Sequence, residues 1–580
     1  MNCDYDKYPY VAIAPGSTGC EIGWGAIMTR LHRFAGGRII CIECYPGVFE
    51  DDICRAIEDL DLSARIIRSR CALKTPAEIE ALLARDLTDD PVFGHLTCLE
   101  LKDFLAYERL ENLKETLQKT VPGPTFVVGT GATLLCEGPD VLVYADLARW
   151  EIQQRQRRNE VANLGATNES ADPSAKYKRG FFVDWRVADR FKAPLLPRID
   201  FLLDTNKRHE PKMISGEMLR KGLSAAVRQP FRVVPFFDPG PWGGQWLRKT
   251  CCLPSEPPNY AWCFDCVPEE NSLLLGFGNV TIEVPALDLV LSHPRELLGD
   301  AVHARFGTEF PIRFDFLDTM EGGNLSLQVH PLTEYIQEQF GVHYTQDESY
   351  YLLDAGDDAC VYLGLKEQLD RESMIRELQQ AQNPGNTFSA ERYANVWPAK
   401  KHDHFLIPAG TIHCSGRNCV VLEISATPYI FTFKLWDWGR LGMDGRPRPI
   451  HLEHGIQNVQ WDRTTAWVER ELVNRVEQVA QSNDWQEERT GLHEREFIET
   501  RRHWFSGAVR HNTSGSVNVL NLVEGSEIVV ESPSGAFQPM HVHFAETFVV
   551  PAAVGSYIVR PAFAASKSFA TIKASVRTGL

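Results

Sequence analysis

Three short segments carry residue types that could do chemistry together. They are Leu325-Ser326-Leu327-Gln328-Val329-His330-Pro331, then Asp347-Glu348-Ser349-Tyr350, then Pro408-Ala409-Gly410-Thr411-Ile412-His413. In a strand, side chains two apart share a face, so Gln328 and His330 project the same way. A carboxylate about one hairpin later, and a second histidine after a Pro/Gly turn, can close a four-donor site around a divalent metal. Two imidazoles and one carboxylate suit zinc or a similar first-row ion, and a weak amide donor leaves the metal open to a substrate. That pattern predicts chemistry rather than a structural clip.

The chain around these segments is long enough for two to four domains, at 580 residues. Hydrophobic residues make up 44% and charged residues 24%, the balance of a soluble globular protein. A net charge of −17 argues against a nucleic-acid partner, which needs a basic face; a phosphorylated small molecule needs only one local basic pocket. The start, Met1 to Lys7, has no basic segment leading into an apolar one, and no uncharged apolar run approaches a membrane span. The 15 cysteines are scattered, which predicts a reducing, cytoplasmic setting. Cys41/Cys44 and Cys263/Cys266 lie three apart in strand-like runs, so each pair faces opposite sides and reads as structural rather than zinc-binding.

Up to about residue 225, short apolar runs (Tyr10 to Ala14, Arg38 to Ile42, Thr125 to Gly129, Val141 to Tyr144) alternate with helical segments (Pro76 to Arg85, Glu100 to Gln118, Leu147 to Asn163). That alternation predicts an α/β domain with a largely parallel sheet. Gly165 to Gly180 is polar and turn-rich and reads as a mobile loop. Beyond residue 225 the strands shorten, alternate in polarity and are punctuated by Pro and Gly, the texture of antiparallel barrels or jelly rolls. The expected organisation is an α/β domain over 1–225, a metal-binding domain over 226–475 with a helical insert at about 367–395, and a connecting helix with a final β unit over 476–580.

Several motifs in order resemble the type I phosphomannose isomerases (mannose-6-phosphate isomerases), in particular the compact bacterial branch. Val234-Pro235-Phe236 with Trp242-Gly243-Gly244 resembles the family's opening strand and WGG turn. Leu317-Asp318-Thr319-Met320 with Leu325 to Pro331 resembles its "LD…LSxQVHP" pair. Phe405 to His413 resembles its "(F/Y)xxPxGTxH" segment, and Leu422-Glu423 and Thr432 to Arg440 resemble its "LE" and "TYRxYDxxR" strands. The resemblance covers about residues 228 to 580 and implies two cupin-type barrels, the first holding one Zn2+ per chain through Gln328, His330, Glu348 and His413. The implied reaction interconverts D-mannose 6-phosphate and D-fructose 6-phosphate, the metal stabilising charge on an enediolate as a Lewis acid. Lys434 and Arg440 would neutralise substrate charge, with Glu423 or a metal-bound water as the base.

Two positions depart from that pattern. Gln346 stands where the compact relatives commonly carry a lysine, and Lys434 replaces the arginine of "TYR", keeping the charge but losing the bidentate fork. They motivate two competing readings, an isomerase for a different sugar or sugar phosphate, and a non-catalytic carbohydrate- or metal-sensing protein.

Other motifs read as structural. His541, His543 and Glu546 lack an evident fourth donor, and Trp242-Gly243-Gly244 reads as a packing turn. Pro15 to Cys20 and Gly129 to Thr133 are Gly-rich turns in a chain with no GxxxxGK[ST]. Ala145 to Glu151 faintly resembles nucleoside-kinase-like domains, which predicts a degenerate, non-catalytic first domain used for ligand sensing or assembly.

Overall fold

Ile40 to Cys44, Thr125 to Gly129 and Val141 to Asp146 are buried along their whole length, as strands covered on both faces must be. They lie at the centre of a seven-stranded sheet in the computed structural model of this chain, which describes residues 4–13, 19–34, 38–60, 63–119, 121, 123–136, 138–383, 385–427, 431–491, 493, 495–563 and 568–578. The sheet order is Glu21–Ile22, Lys212–Ser215, Phe201–Asp204, Val141–Asp146, Ile39–Cys44, Thr125–Gly129 and Arg65–Arg68. The last five of these are mutually parallel, and the first two run antiparallel at one edge. The helices obey local rules. Pro76–Leu87 buries Ile79 and Leu83, four residues apart on one face, behind a capping box in which Thr75 and Glu78 satisfy each other's backbone N–H.

The chain divides into two compact units, and the division is not linear. One comprises Tyr10–Ala226 with Pro268–His293; the other comprises Met1–Pro9, Val227–Val267 and Pro294–Leu580. Residues 268–293, expected in the metal-binding domain, therefore belong with the first unit. Ser272–Phe277 and Val280–Pro285 form a separate three-stranded sheet with Tyr10–Ile13. That corrects the expectation that Tyr10 to Ala14 joins the main sheet; its exposed–buried alternation suits a strand covered on one side only. The excursion is anchored by the buried Lys192 ammonium, clasped by Asp146 and Asp288. The mobile loop expected over Gly165 to Gly180 is half helix: Asp172 accepts from Ser174 N at 2.9 Å, capping Pro173–Arg179 with Pro173 at its first position.

In the second unit, a six-stranded antiparallel sheet runs His404–Ile407, Glu348–Ala355, Cys419–Ala426, Ile312–Asp318, Trp262–Cys266, Phe236–Asp238. A five-stranded one runs Ala394–Pro398, Cys360–Leu365, His413–Ser415, Leu327–Val329, Phe433–Trp436. The helical insert is Arg371–Gln380, capped by Asp370. Among the described residues of 476–499 the expected connecting helix is absent. Glu477–Gln481 and Trp485–Gly491 instead pair as antiparallel strands, and the charges that suggested a helix are met across strands, Arg501 with Glu487 at 2.9 Å and Arg502 with Glu488 at 2.7 Å. The chain ends in a six-stranded and a four-stranded sheet around a core that includes Phe505, Leu520, Leu522, Phe548 and Phe569. Among the described residues, no helix is long and apolar enough to cross a membrane.

Candidate metal centre

Strand register gathers the donors. Gln328 lies opposite His413 on one side and Lys434 on the other, and cross-strand partners project to the same face. His330, two residues on, shares that side. Glu348 opens a strand of the six-stranded sheet, opposite Ser425 and Ile407. Alternation then separates the two acids of Asp347-Glu348: Asp347 turns away to accept from Ala409 N at 2.7 Å, and Glu348 turns inward.

The inward groups converge. Glu348 Oε2 is 3.0 Å from His330 Nε2, its Oε1 is 3.0 Å from His413 Nε2, and the Gln328 side-chain amide is 3.2 Å from His413 Nε2. All four residues are buried. Donor atoms of His330, Glu348 and His413 lie within 4.8 Å of one another, the one such group of three among the described residues.

The surroundings of the two imidazoles test whether a cation fits. His330 Nδ1 donates to the Phe431 carbonyl at 3.0 Å and His413 Nδ1 to the Thr411 carbonyl at 2.8 Å. A carbonyl only accepts, so in the neutral rings both protons sit on Nδ1 and both Nε2 lone pairs face the carboxylate. Lone pairs opposed at 3.0 Å repel unless a positive charge lies between them. His330 Nε2 and Glu348 Oε1 are correspondingly buried without a hydrogen-bond partner among the described residues. Two imidazoles oriented through Nδ1 and one carboxylate, with an amide adjacent, have the chemistry to hold a divalent metal. Rotating the Gln328 amide end for end presents its oxygen to the same point.

Glu348 is tuned for this role. Burial alone would raise its pKa, and only positive charge on His330 and His413, or a cation between neutral rings, holds it well below the usual carboxylate range. Gln346 Nε2 donates to Glu348 Oε2 at 2.9 Å, so the residue that departs from the family pattern orients the candidate donor carboxylate. On the interior face behind it, Glu423 is paired with Arg313, which also forms an ion pair with Asp315 at 3.0 Å. Burial, opposed by Arg313 and reinforced by Asp315 and Glu348, raises the Glu423 pKa well above normal.

A basic cluster occupies the region of Phe433–Trp436 and the turn after it. Arg440 donates to Asp437 Oδ1 at 2.6 and 3.0 Å and to the Asn324 carbonyl, and Arg448 reaches Asp437 Oδ2 at 2.9 Å. The Lys434 ammonium makes no hydrogen bond or ion pair among the described residues. Burial, with help from Arg448 and Arg440 and against Asp437, pulls its pKa down to about 7. Arg313, Arg448 and the hydrogen bond of Gln346 were not read from the sequence. Arg448 had a signal, the Arg446-Pro447-Arg448-Pro449 segment just past the "WDWGR" strand, and Arg313 had one in its alternation with Asp315.

The motifs read as structural have protein partners. Glu546 pairs with Arg232 at 2.7 Å and His541 with Glu527 at 2.6 Å. Both CxxC pairs are buried. A Cβ on Gly244 would lie 2.1 Å from Asp318 Oδ1, so the Trp242-Gly243-Gly244 turn is a close approach of backbone to side chain. In the first unit, three N–H groups of the Gly129 to Thr133 turn are occupied: Gly131 and Thr133 donate to Glu43 at 2.6 and 2.8 Å, and Thr130 to Glu50 at 3.0 Å. Residues 14–18 of the other Gly-rich turn lie outside the described residues. Near the carboxyl ends of the parallel strands a cleft of about 730 Å3, lined by Phe49, Lys74, Arg109 and Thr130 among others, occupies the usual ligand position of open α/β sheets.

Residues 23–228 match a family described as a domain of unknown function (DUF8485). Mannose-6-phosphate isomerase of Streptococcus mutans is 30% identical over 217 residues, 37% of this chain and 63% of that protein. The probable mannose-6-phosphate isomerase GmuF of Bacillus subtilis is 26% identical over 233 residues, 40% of this chain and 68% of that protein. The crystal structure of the mannose 6-phosphate isomerase from Bacillus subtilis superposes with a TM-score of 0.49 and 17% identity, covering 60% of this chain and 99% of that one. This chain thus has homologues named mannose-6-phosphate isomerase over about two fifths of its length, and it spans just under two thirds of the Streptococcus mutans protein.

Proposed function

We propose that the second unit is a zinc-dependent aldose–ketose isomerase, built on two cupin-type barrels, that interconverts D-mannose 6-phosphate and D-fructose 6-phosphate. The observation that carries this reading is the buried His330–Glu348–His413 cluster with Gln328 beside it, both imidazoles oriented through Nδ1. The relatives named mannose-6-phosphate isomerase support it. Zinc bound there would supply Lewis-acid stabilisation for negative charge on the substrate oxygens.

The chain's own residues then divide the remaining work. Gln346 fixes the Glu348 carboxylate, and the Phe431 and Thr411 carbonyls fix the imidazoles. Lys434, on the same face as Gln328 and His413 and without a carboxylate partner among the described residues, is the cation best placed to meet a phosphate or a developing oxyanion. Arg440 is bound to Asp437 and Asn324 and acts by shaping that cluster. Glu423, tied to Arg313, is better suited to supporting Glu348 than to moving a substrate proton. A cytoplasmic setting belongs to the same reading, supported by cysteines that are all free among the described residues.

A coupled assay with mannose 6-phosphate, before and after chelation, tests the reading. Turnover that chelator abolishes and zinc restores is expected; turnover indifferent to metal removal refutes it. The Gln346 and Lys434 departures favour, as second readings, an isomerase for another sugar or sugar phosphate, or a carbohydrate- or metal-sensing protein. No turnover of mannose 6-phosphate by the zinc-loaded protein would select these.

A further inference from the structure

A second polar cavity lies in the terminal β unit, away from the residues of the metal centre. It has a volume of about 250 Å3, and its wall includes Glu499, Arg501, Asn518, Lys573, Ser575 and Arg577, with the hydroxyls of the 513–516 turn. Register explains the grouping. Arg501 lies opposite Lys573, and Ser575 lies opposite both Glu499 and Asn518, so these side chains share the inner face of the sheet. Further along that face come the buried polar His503 and Thr571, and beyond them the apolar core that holds Phe505 and Phe569. The polar residues therefore line a blind mouth of the β unit, a common position for ligands.

The charges in this mouth are incompletely matched. Arg501 is satisfied by Glu499 and by Glu487 at 2.9 Å. Lys573 makes no hydrogen bond or ion pair among the described residues, although its ammonium is sufficiently desolvated for its pKa to be lowered. Arg577 donates from Nη2 to the His493 carbonyl at 2.9 Å, while its Nε is buried without a hydrogen-bond partner among the described residues. Two half-buried cations with unused donors are costly to maintain unless an acceptor arrives. Around them the wall offers hydroxyls and an amide: Asn518 is held by Tyr557 Oη–H at 3.0 Å and by its own bond to the Ser516 carbonyl at 3.3 Å. Two cations with spare donors, beside hydroxyls and an amide and with the Glu499 carboxylate already engaged by Arg501, suit a ligand with one anionic group and several hydroxyls.

The geometry points to a second binding site here, for a phosphorylated monosaccharide, with the phosphate on Lys573 and Arg577 and the sugar hydroxyls toward Asn518 and Ser575. The site uses no residue of the metal centre and binds without metal.

The test is calorimetric titration of the whole chain after chelation, with a hexose 6-phosphate, the unphosphorylated hexose and inorganic phosphate as probes. Binding of the hexose phosphate should survive chelation and weaken about tenfold or more in Lys573→Met, the loss expected for a charge-assisted contact. Lys573→Arg should recover most of it. Arg577→Gln should weaken binding in the same sense and covers the case in which Lys573→Met fails to fold. Hexose phosphate affinity unchanged in both Lys573→Met and Arg577→Gln, or absent from the chelated wild type, would overturn the site. Inorganic phosphate binding as tightly as the hexose phosphate would overturn the role given to the hydroxyl wall.

Discussion

Replacing Gln346 by leucine isolates the hydrogen bond that orients the candidate metal carboxylate. Leucine nearly preserves the buried volume and removes the amide whose Nε2 lies 2.9 Å from Glu348 Oε2. Partners that orient metal donors typically account for about 10–100-fold in affinity, which corresponds to about 1.4–2.7 kcal/mol. The metal-free protein should respond differently. Gln346 Oε1 is buried with no hydrogen-bond partner among the described residues, so the substitution also deletes an orphaned acceptor, and relief of that group offsets much of the lost bond. Metal affinity should therefore fall by one to two orders of magnitude while the urea midpoint of the chelated protein barely moves or rises. Competition against a chromophoric chelator reads the first quantity and circular dichroism in urea the second. Unchanged zinc affinity in Gln346→Leu would refute the reasoning, because Glu348 would then be held adequately by something else.

Arg313→Met should cost about 3–5 kcal/mol of unfolding free energy, since it leaves Asp315 and Glu423 buried without their cation; adding Glu423→Gln should recover part of it, and a loss below about 1 kcal/mol would contradict the pairing. Glu43, pushed up to about 7 by burial despite bonds from Gly131 and Thr133, holds a proton in the folded state that the unfolded chain releases near 4.5. Its contribution is present below about pH 4.5 and lost as pH rises through 7, a drift of about 3 kcal/mol that Glu43→Gln should flatten in urea titrations at pH 5 and 8. Lys434, with its pKa lowered to about 7, loses its charge as pH rises through that value, so KM for a phosphorylated substrate should climb between pH 6 and 8.5. Lys434→Arg keeps the charge and should level that climb, and a climb that persists would point to another titrating group.

The donors were legible because each depends on local spacing: Gln328 and His330 two apart on a strand, His413 just after a Pro/Gly turn, Glu348 at the start of a strand. Arg313 was not, because its partner Glu423 lies 110 residues away and the pairing follows from register between strands. The same holds for Lys573 opposite Arg501. The charged stretch before residue 499 looked helical because its counter-charges sit on a neighbouring strand, Ile498–Phe505. The loop expected at Gly165 to Gly180 was misjudged for the converse reason: Asp172-Pro173 is also a helix start, and buried Lys176, bonded to Asn159 Oδ1 at 3.1 Å, holds it in place.

The interleaving of the two units bears on how the protein is made. A ribosome releases Ala226 well before His293, and the first unit lacks its three-stranded sheet and the Asp288 carboxylate around Lys192 until the later segment emerges. At about 5–20 residues per second that wait lasts roughly 3–13 seconds. During it Tyr10–Ile13 has no neighbouring strand, and strands of the other unit, Phe236–Asp238 and Trp262–Cys266, have already appeared. A fragment cut at residue 226 would be frozen in that interval, with an ammonium half satisfied and a sheet edge open to other chains.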